Sequence, residues 1–336
     1  MPIQYEGIIA EHTWTRQHVS LFDICHMGEF FVYGEPQKSN LERIVTVNIG
    51  KMACGSCRYS SMLNEKGGVI DDLIVYRIKP DTWMLVVNAA RIEADELNLK
   101  KHLSADAKLE NVSSKVGKLD LQGPGSLEVL KRLLGPKVAE LKYYTFNYFV
   151  MLGENNIISR TGYTGELGYE LYVSNERIVD LWNLLRKDAQ VKPAGLGARD
   201  TLRLEMGYTL YGQDISEDIS PLEGGLEKFV DFNKDFIGRD ALLEKKKNGA
   251  LKKLSYFITD SRRNPRHNYK IMSNGREIGV VTSGSFSPSL SCGIGMGFIE
   301  SGCDAMGSKV LISHDAIEIQ ATITDKPFYK KGSVKK

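Results

Sequence analysis

Two adjacent aspartates, Asp71 and Asp72, are the residues whose types and spacing most directly suggest chemistry. A pair of carboxyl groups can supply a general acid and a general base, as it does in glycosidases. If residues 71–76 form a strand, successive side chains point to opposite faces, so Asp72 shares a face with Tyr76 and Asp71 does not. At most one carboxylate then faces a given pocket, and Asp71 is expected to be a turn or surface residue. The alternative, in which both aspartates merely end a loop, also fits the glycine-containing turn before them.

Histidine and cysteine side chains give weaker signals. His26 is a candidate base, but no serine or cysteine nucleophile pattern surrounds it, and an isolated histidine is more often structural. Cys54 and Cys57 form a single CxxC motif without the further ligands of a zinc site. We therefore expect two free thiols and no metal. The total of five cysteines is odd and low, which favours a reducing compartment.

Glycine-rich segments invite a search for phosphate-binding loops. The segment 195–200 (GLGARD) matches a dinucleotide-binding loop only in part, because the third glycine and a clear preceding strand are missing. Gly293, Gly295 and Gly297 alternate inside a predicted strand, where we expect them to permit close packing or a bend. No phosphate-loop lysine follows any glycine run, so a nucleotide-hydrolysing site is not predicted.

The elements that must position the aspartates follow from hydrophobic periodicity. The first two-thirds of the chain mixes helices and strands, whereas short strands at close spacing after Leu251 are typical of a β-barrel or sandwich. The predicted elements before that point are a strand at 82–90, a strand, turn and helix at 118–134, a glycine-rich hairpin at 157–173, and helices from 176, at 198–206 and at 236–247. The boundary between the two regions is expected between residues 236 and 250.

Composition disfavours several classes of protein. The chain has 336 residues, of which 42% are hydrophobic and 26% charged, as in an ordinary globular protein. The formal net charge of +2 gives no reason to expect a nucleic-acid partner. No apolar run reaches the about 18 residues of a membrane helix. No secretory signal is recognisable in the first residues, so we expect no membrane partner.

Several segments, taken together and in order, resemble the glycine-cleavage T protein family of tetrahydrofolate-dependent aminomethyltransferases. The matching segments are LFDICHMGEF at 21–30, NEKGGVIDDLIVY at 64–76, SRTGYTGELGYEL at 159–171, AGLGARDTLRLEMGYTLYGQDI at 194–215, SPLEGGL at 220–226, FIGRDALL at 236–243, TSGSFSPSL at 282–290 and KPFYKKGSV at 326–334. The resemblance implies an α+β fold of three domains around a central cavity. Residues 1–240 would form two intertwined α+β units, one of them discontinuous, and residues 241–336 a C-terminal β-barrel.

The resemblance also implies where the site lies. Asp72, the second aspartate of the GGxxDD motif, is the expected catalytic residue, a carboxylate that orients the folate amine and stabilises developing positive charge. Glu170 is expected to bind the pterin through two parallel hydrogen bonds. Arg199 is expected to lie beside Glu170 and to keep it ionised or to meet the pterin carbonyl. The other residues expected to line the folate are Tyr59, Tyr76, Asn88, Tyr163 and Tyr208. No metal or covalent protein nucleophile is implied.

The implied reaction transfers the methylene group of the aminomethyl-dihydrolipoyl arm of the H protein to tetrahydrofolate, with release of ammonia. The lipoyl-bearing H protein is thus the implied partner, and the cytoplasm the implied location, or the mitochondrial matrix in a eukaryote. Three alternatives share the fold: a folate-dependent demethylase of a small methylated substrate, a folate-binding iron–sulfur assembly factor, and a non-catalytic folate-binding paralogue. The signature cysteine of the assembly factors is absent from the comparable turn at 208–214, which disfavours that alternative.

Overall fold

The computed structural model describes residues 1–335 and contains two β-sheets and a closed β-barrel. Within these residues the α-helices are α1 (Ile8–Gln17), α2 (Leu41–Ile44), α3 (Ile92–His102), α4 (Ser126–Leu134), α5 (Ile178–Leu185), α6 (Leu196–Glu205) and α7 (Arg239–Asn248). The strands are β1 (Val19–Asp23), β2 (Gly28–Tyr33), β3 (Ser56–Leu63), β4 (Val69–Lys79), β5 (Thr82–Val87), β6 (Lys108–Asn111), β7 (Val116–Gln122), β8 (Phe146–Met151), β9 (Glu154–Ser159), β10 (Gly168–Ser174), β11 (Val191–Pro193), β12 (Lys252–Thr259), β13 (Lys270–Ser273), β14 (Arg276–Ser287), β15 (Cys292–Glu300), β16 (Lys309–His314) and β17 (Ile317–Thr324). No helix in this part of the chain is both long and apolar enough to span a membrane.

The larger sheet has six strands in the order β11-β1-β7-β10-β9-β8. β1 pairs with β11 in parallel, and the other neighbours pair antiparallel. Leu119 and Leu121 of β7 belong to an apolar core that also contains Leu181 of α5. Because side chains alternate along a strand, Lys118 and Asp120 of β7 project from the opposite face. This sheet therefore has one apolar face under helices and one face that carries charges.

The second sheet has five antiparallel strands in the order β3-β4-β5-β2-β6, and the chain enters it after β1 and leaves it before β7. Leu73 and Val75 of β4 belong to one apolar core, and Tyr76 belongs to another. Residues 71–76 are thus extended, and the predicted alternation is confirmed. The rings of Tyr76 and of Tyr172 in the larger sheet lie 5.8 Å apart, so this face of the second sheet packs on the charged face of the first.

The C-terminal strands close into a barrel in the order β12-β15-β14-β13-β16-β17, so the predicted all-β region is confirmed. Its core is apolar and includes Phe257, Ile271 and Ile312. The alternating glycines lie in β15, where a Cβ at Gly295 would stand 2.5 Å from the ring of Phe257. That glycine therefore permits close packing, as the sequence predicts.

Three helices have bounds that differ from the predicted ones. α5 begins at Ile178, two residues after its predicted start. α6 begins at Leu196 and ends at Glu205, and Gly207 follows it with a φ of 65°, a conformation that ends many helices. α7 begins at Arg239 and not at residue 236, because Gly238 has a φ of 83° and cannot belong to a right-handed helix. α7 also spans residues 240 and 241, where the boundary between the N-terminal region and the barrel domain is predicted from the sequence. That domain boundary stays a prediction.

A buried network, called here the Arg16 network, joins α1 to α6 and to residues near the end of the chain. Arg16 forms ion pairs with Glu166 (Nη1 to Oε1, 2.9 Å) and with Glu205 of α6 (Nη2 to Oε2, 2.7 Å). The backbone N–H of Ser333 donates to Oε2 of Glu166, at 2.9 Å. Tyr329 donates its N–H to the carbonyl of Glu205, and its ring lies 4.2 Å from the Arg16 guanidinium. The segment after the barrel thus returns to the N-terminal region.

Candidate functional site

Asp72 is held by two side chains on the inner face of the five-stranded sheet. Its Oδ2 accepts a hydrogen bond from the Tyr59 hydroxyl at 2.9 Å, and its Oδ1 accepts one from Nδ2 of Asn88 at 2.8 Å. β4 and β5 pair Ile74 with Val86, so Asn88 falls opposite Asp72 just beyond the end of β5. Three residues from three strand segments thus meet at one carboxylate, and the predicted residues Asp72, Tyr59 and Asn88 are brought together.

The carboxyl group of Asp72 is half-buried. Burial, followed by the neighbouring charge of Asp71, raises its pKa to about 7. The side chain nevertheless keeps part of its surface accessible. A carboxyl group whose pKa is strongly perturbed and that keeps accessible surface is a candidate for a functional role. Near neutral pH such a carboxyl group can either accept or donate a proton.

Asp71 does not lie where it was expected, because it is neither exposed nor a turn residue. It is completely buried, and it accepts hydrogen bonds from the backbone N–H of Asn88 at 3.0 Å and from its Nδ2 at 2.8 Å. Alternation does send the two aspartates to opposite faces of β4, but Asn88 sits at the strand end, where one amide can reach both. Both carboxylates therefore accept hydrogen bonds from the same asparagine.

Glu170 of β10 is the centre of a second cluster, on the charged face of the six-stranded sheet. Its Oε1 lies 3.2 Å from Nζ of Lys118. Its Oε2 accepts hydrogen bonds from Thr161 at 2.9 Å, Tyr172 at 3.0 Å and Tyr76 at 3.2 Å. Burial alone would raise the pKa of Glu170, but Lys118, the Thr161 hydrogen bond and Arg199 together lower it below its ordinary value. Glu170 is thus held as a carboxylate.

The expected pairing of Arg199 with Glu170 is only partly found. Arg199 lies in the same cluster, but its Nη1 binds Oδ2 of Asp120 at 2.7 Å, whereas Lys118 is the cation that contacts Glu170. Asp120 and Glu170 are directly opposite each other on β7 and β10. Two ion pairs therefore lie side by side, and Arg199 acts on the Glu170 charge without contacting it.

The remaining predicted tyrosines connect the two clusters or support them. Tyr163 lies under the Arg199 guanidinium at 4.9 Å and stacks on Tyr208 with ring centroids 5.6 Å apart. The Tyr163 hydroxyl donates to the carbonyl of Thr209. Tyr163 and Tyr208 keep accessible surface, whereas Tyr76 has none. Tyr76 therefore does not contact a ligand directly, and it can act on one only through its hydrogen bond to Glu170.

Comparison with known proteins places this site in a family. A model described as the GCVT N-terminal domain matches residues 1–234, and one described as the glycine cleavage T-protein C-terminal barrel domain matches residues 252–330. The chain belongs to the glycine cleavage T protein family.

Individual relatives of this T protein family member agree with the two models. An aminomethyltransferase from Halothermothrix orenii is 44% identical over 332 residues, which cover 98% of this chain and 93% of the relative. One from Caldanaerobacter subterraneus subsp. tengcongensis is 42% identical over 338 residues, covering 99% and 90%. The crystal structure of glycine cleavage system aminomethyltransferase T from Bartonella henselae has a TM-score of 0.93 and 32% identity, covering 99% of this chain and 92% of that one. The resemblance and the α+β fold with a C-terminal barrel are confirmed, and the chain is an enzyme of the aminomethyltransferase class.

Sequence reasoning missed three charged residues of this T protein site. Lys118 and Asp120 lie in a segment that was recognised only as a strand. Glu29 is buried and faces the same cluster, since Lys118 and Glu170 are the charges that act on it. His26 is exposed, and partial desolvation by the surrounding protein, followed by the charges of Arg199 and Lys118, lowers its pKa to about 4. At neutral pH its imidazole is therefore uncharged.

The structure also shows the surroundings of the possible metal ligands and of the two CxxC thiols. Among residues 1–335, no group of three or more His, Cys, Asp or Glu side chains could hold a metal ion. Cys54 is exposed, Cys57 is buried, and both are free. Two buried oxygens in the Glu170 cluster, Oδ1 of Asp120 and Oε2 of Glu29, have no hydrogen-bond partner within the described chain. Such oxygens suit a ligand that brings N–H groups.

Proposed function

We propose that this enzyme transfers the methylene group of aminomethyl-dihydrolipoyl H protein to tetrahydrofolate, with release of ammonia. The observation that carries the proposal is the half-buried carboxyl group of Asp72, fixed by Tyr59 and Asn88. It rests also on membership of the T protein family. The lipoyl-bearing H protein as partner and a cytoplasmic location are parts of the same proposal.

The pterin of tetrahydrofolate is proposed to bind at the second cluster. Its pyrimidine edge offers parallel N–H donors, which match the carboxylate of Glu170 and the unpartnered Oδ1 of Asp120. Glu170 is already hydrogen-bonded, but the hydroxyl donors that bind it have other acceptors. The Tyr76 and Tyr172 hydroxyls lie 2.9 Å apart, and Thr161 lies 2.5 Å from Ser159. These hydroxyls can turn away when a ligand donates to Glu170.

The chemistry is divided between the folate and this chain. When bound, tetrahydrofolate supplies two amine nitrogens that form bonds to the methylene carbon. The bonds from that carbon to the lipoyl sulfur and to the amino nitrogen break. The two protons lost by the folate amines go to the thiol and to ammonia. Asp72 accepts a hydrogen bond from the attacking amine and stabilises positive charge that develops near it. Tyr59 and Asn88 keep that carboxylate in one orientation, so no reorganisation is needed during the reaction.

The site residues named from the sequence keep these roles as proposals. Asp72 is the proposed catalytic residue. Glu170 and Arg199 are the proposed pterin-binding residues, the latter together with Asp120. Asn88 and the tyrosines at 59, 163 and 208 are proposed to line the folate, with Tyr76 supporting Glu170 from behind.

Turnover with aminomethylated H protein and tetrahydrofolate tests the proposal. We expect ammonia release that depends on both substrates and is accompanied by formation of methylenetetrahydrofolate in equal amount. Reactions that omit folate or use unmodified H protein are the controls. Ammonia release no faster than in those controls, or turnover of a small methylated amine in place of H protein, would contradict the proposed reaction.

A further inference from the structure

A buried carboxyl group with no role in the site described above lies directly behind Asp71. Asp95 of α3 is completely buried, and neither of its oxygens accepts a hydrogen bond from any N–H or O–H donor outside the carboxyl groups, within residues 1–335. Both Asp95 oxygens are thus unsatisfied while the carboxyl groups are ionised. Burial raises the pKa of Asp95, and the carboxyl group of Asp71, which is also completely buried, raises it further through its charge and through a hydrogen bond. Two buried carboxylates in contact repel each other strongly, and a hydrogen bond between them requires a proton.

Among residues 1–335, no lysine or arginine nitrogen is a hydrogen-bond partner of Asp95. Arg91, which precedes α3, is the nearest positive charge acting on Asp95, but its Nη2 forms an ion pair with Glu217 at 2.6 Å and its guanidinium lies 5.1 Å from the ring of Tyr211. The other charged group acting on Asp95 is Asp72, which is also negative. The surroundings of Asp95 therefore favour a bound proton over ionisation.

The proton on this pair bears on the site through Asn88. Asp71 accepts from both the backbone N–H and Nδ2 of Asn88, and the second hydrogen of the same Nδ2 goes to Asp72. The orientation of the Asn88 amide is thus set by Asp71. An O–H donated by Asp95 would fix the orientation of the Asp71 carboxyl group in turn. A continuous series of hydrogen bonds would then lead from α3 to Asp72.

We propose that Asp95 and Asp71 share one proton, so that the pair carries a single negative charge and Asp95 acts as a positioning residue that holds Asp71, Asn88 and Asp72 in line. The positioning role rests on the proposed function of Asp72, whereas the shared proton does not. Burial, followed by the charge of Asp71, raises the pKa of Asp95 to about 10, which agrees with a proton retained at neutral pH.

Infrared difference spectroscopy tests the proton without any assay of activity. We expect the spectrum of the wild type minus Asp95→Asn at pH 7 to show the C=O band of a protonated carboxylic acid that shifts in D2O. Glu93→Gln, an exposed acid on the same helix, should give no such band. Absence of the band in the Asp95→Asn difference would overturn the shared proton.

The charge of the pair has a separate readout in the titration of Asp72, followed by carboxyl-carbon NMR. Asparagine at position 95 still donates an N–H to Asp71 and leaves one negative charge, so the pKa of Asp72 should stay within about half a unit of the wild-type value. If the native pair carried two charges, the substitution would remove one, and the pKa of Asp72 would fall by a unit or more. That fall would refute the proposal.

The positioning role is tested by kcat. Asp95→Leu removes the donor and should lower kcat about 10- to 100-fold, as loss of an orienting partner typically does. Asp95→Asn should keep kcat within about threefold, because its amide replaces the O–H donor. Equal kcat values in the leucine and asparagine variants would remove the positioning role. If the leucine variant does not fold, a tenfold loss in the asparagine variant is the contradicting result. A wild type without turnover would instead count against the proposed function and leave the infrared result standing.

Discussion

Replacing Asp72 with asparagine should lower catalysis and raise stability together. Asparagine can keep both contacts of the native side chain, with its oxygen facing Nδ2 of Asn88 and its amide donating to the Tyr59 hydroxyl. The substitution therefore removes a charge and little else. Loss of one preorganised electrostatic contact in a water-poor site typically lowers kcat about 10²- to 10³-fold, equivalent to about 2.7–4 kcal/mol.

The effect on stability has the opposite sign. The pKa of Asp72 is about 7 in the fold, against about 3.9 for an unfolded aspartate. The folded state thus holds the proton more tightly, and the stability of the wild type decreases as pH rises from about 4 to about 7. Asp72→Asn lacks this decrease, so it should unfold at a higher temperature than the wild type at pH 8 and at nearly the same temperature at pH 4.

The assay combines turnover with aminomethylated H protein, folate binding by calorimetry, and thermal unfolding at both pH values. Asp106→Asn, at an exposed position, is the matched control and should change none of them. A kcat within tenfold of the wild type would refute the assigned role. A folate dissociation constant that rises while kcat stays unchanged would mean that Asp72 binds the folate and does not act on the reaction.

Three further predictions concern the rest of the molecule. Glu170→Gln places an N–H2 group where Lys118 or hydroxyl groups donate, so tetrahydrofolate should lose about 1–3 kcal/mol of binding free energy and its dissociation constant should rise about 5- to 150-fold. Unchanged binding in calorimetry would remove Glu170 from the site. Burial raises the pKa of Glu29 to about 8, so wild-type stability should fall between about pH 4 and pH 8, and Glu29→Gln should raise the unfolding temperature at pH 8 but not at pH 4; a shift of equal size at both would contradict that pKa. The exposed arginines at 262, 263 and 266 should attract an acidic H protein, so its KM should rise with ionic strength, and a flat KM would exclude steering by charge.

The strand that carries the aspartates could be predicted from sequence, but the partners of Asp71 could not. Alternation along 71–76 correctly puts Asp72 on the face of Tyr76, since it depends only on the backbone. The burial of Asp71 depends on α3 packing against the other face and bringing Asp95 there, a contact between elements. Local sequence carries no signal for such a contact.

The same distinction explains why Lys118 and Asp120 were missed. The segment KLDLQ at 118–122 has the pattern of an ordinary amphipathic strand, whose polar side chains usually face solvent. Here that face is covered by a second sheet, so ordinary surface residues become buried ion pairs. Glu170 and Arg199 were found only through the family resemblance, which supplied their proximity but not the intervening pairs with Lys118 and Asp120. The bounds of α4, α5, α6 and α7 were predicted to within three residues, and the shift of α7 comes from the conformation of Gly238. The helices α1, α2 and α3 were not predicted from the sequence.

The Arg16 network has a consequence for how the protein is made. During synthesis Arg16 leaves the ribosome more than three hundred residues before Ser333, which completes the shell around Glu166. Until then the Glu166 carboxylate lacks the donors of Ser333, and the backbone carbonyl of Glu205 lacks the N–H of Tyr329. The barrel strands must form before that segment can return. Assembly of the native network is thus a late event of biosynthesis. Ribosome-bound chains stalled before residue 329 should expose α1 and α6 to protease, although both helices have already emerged.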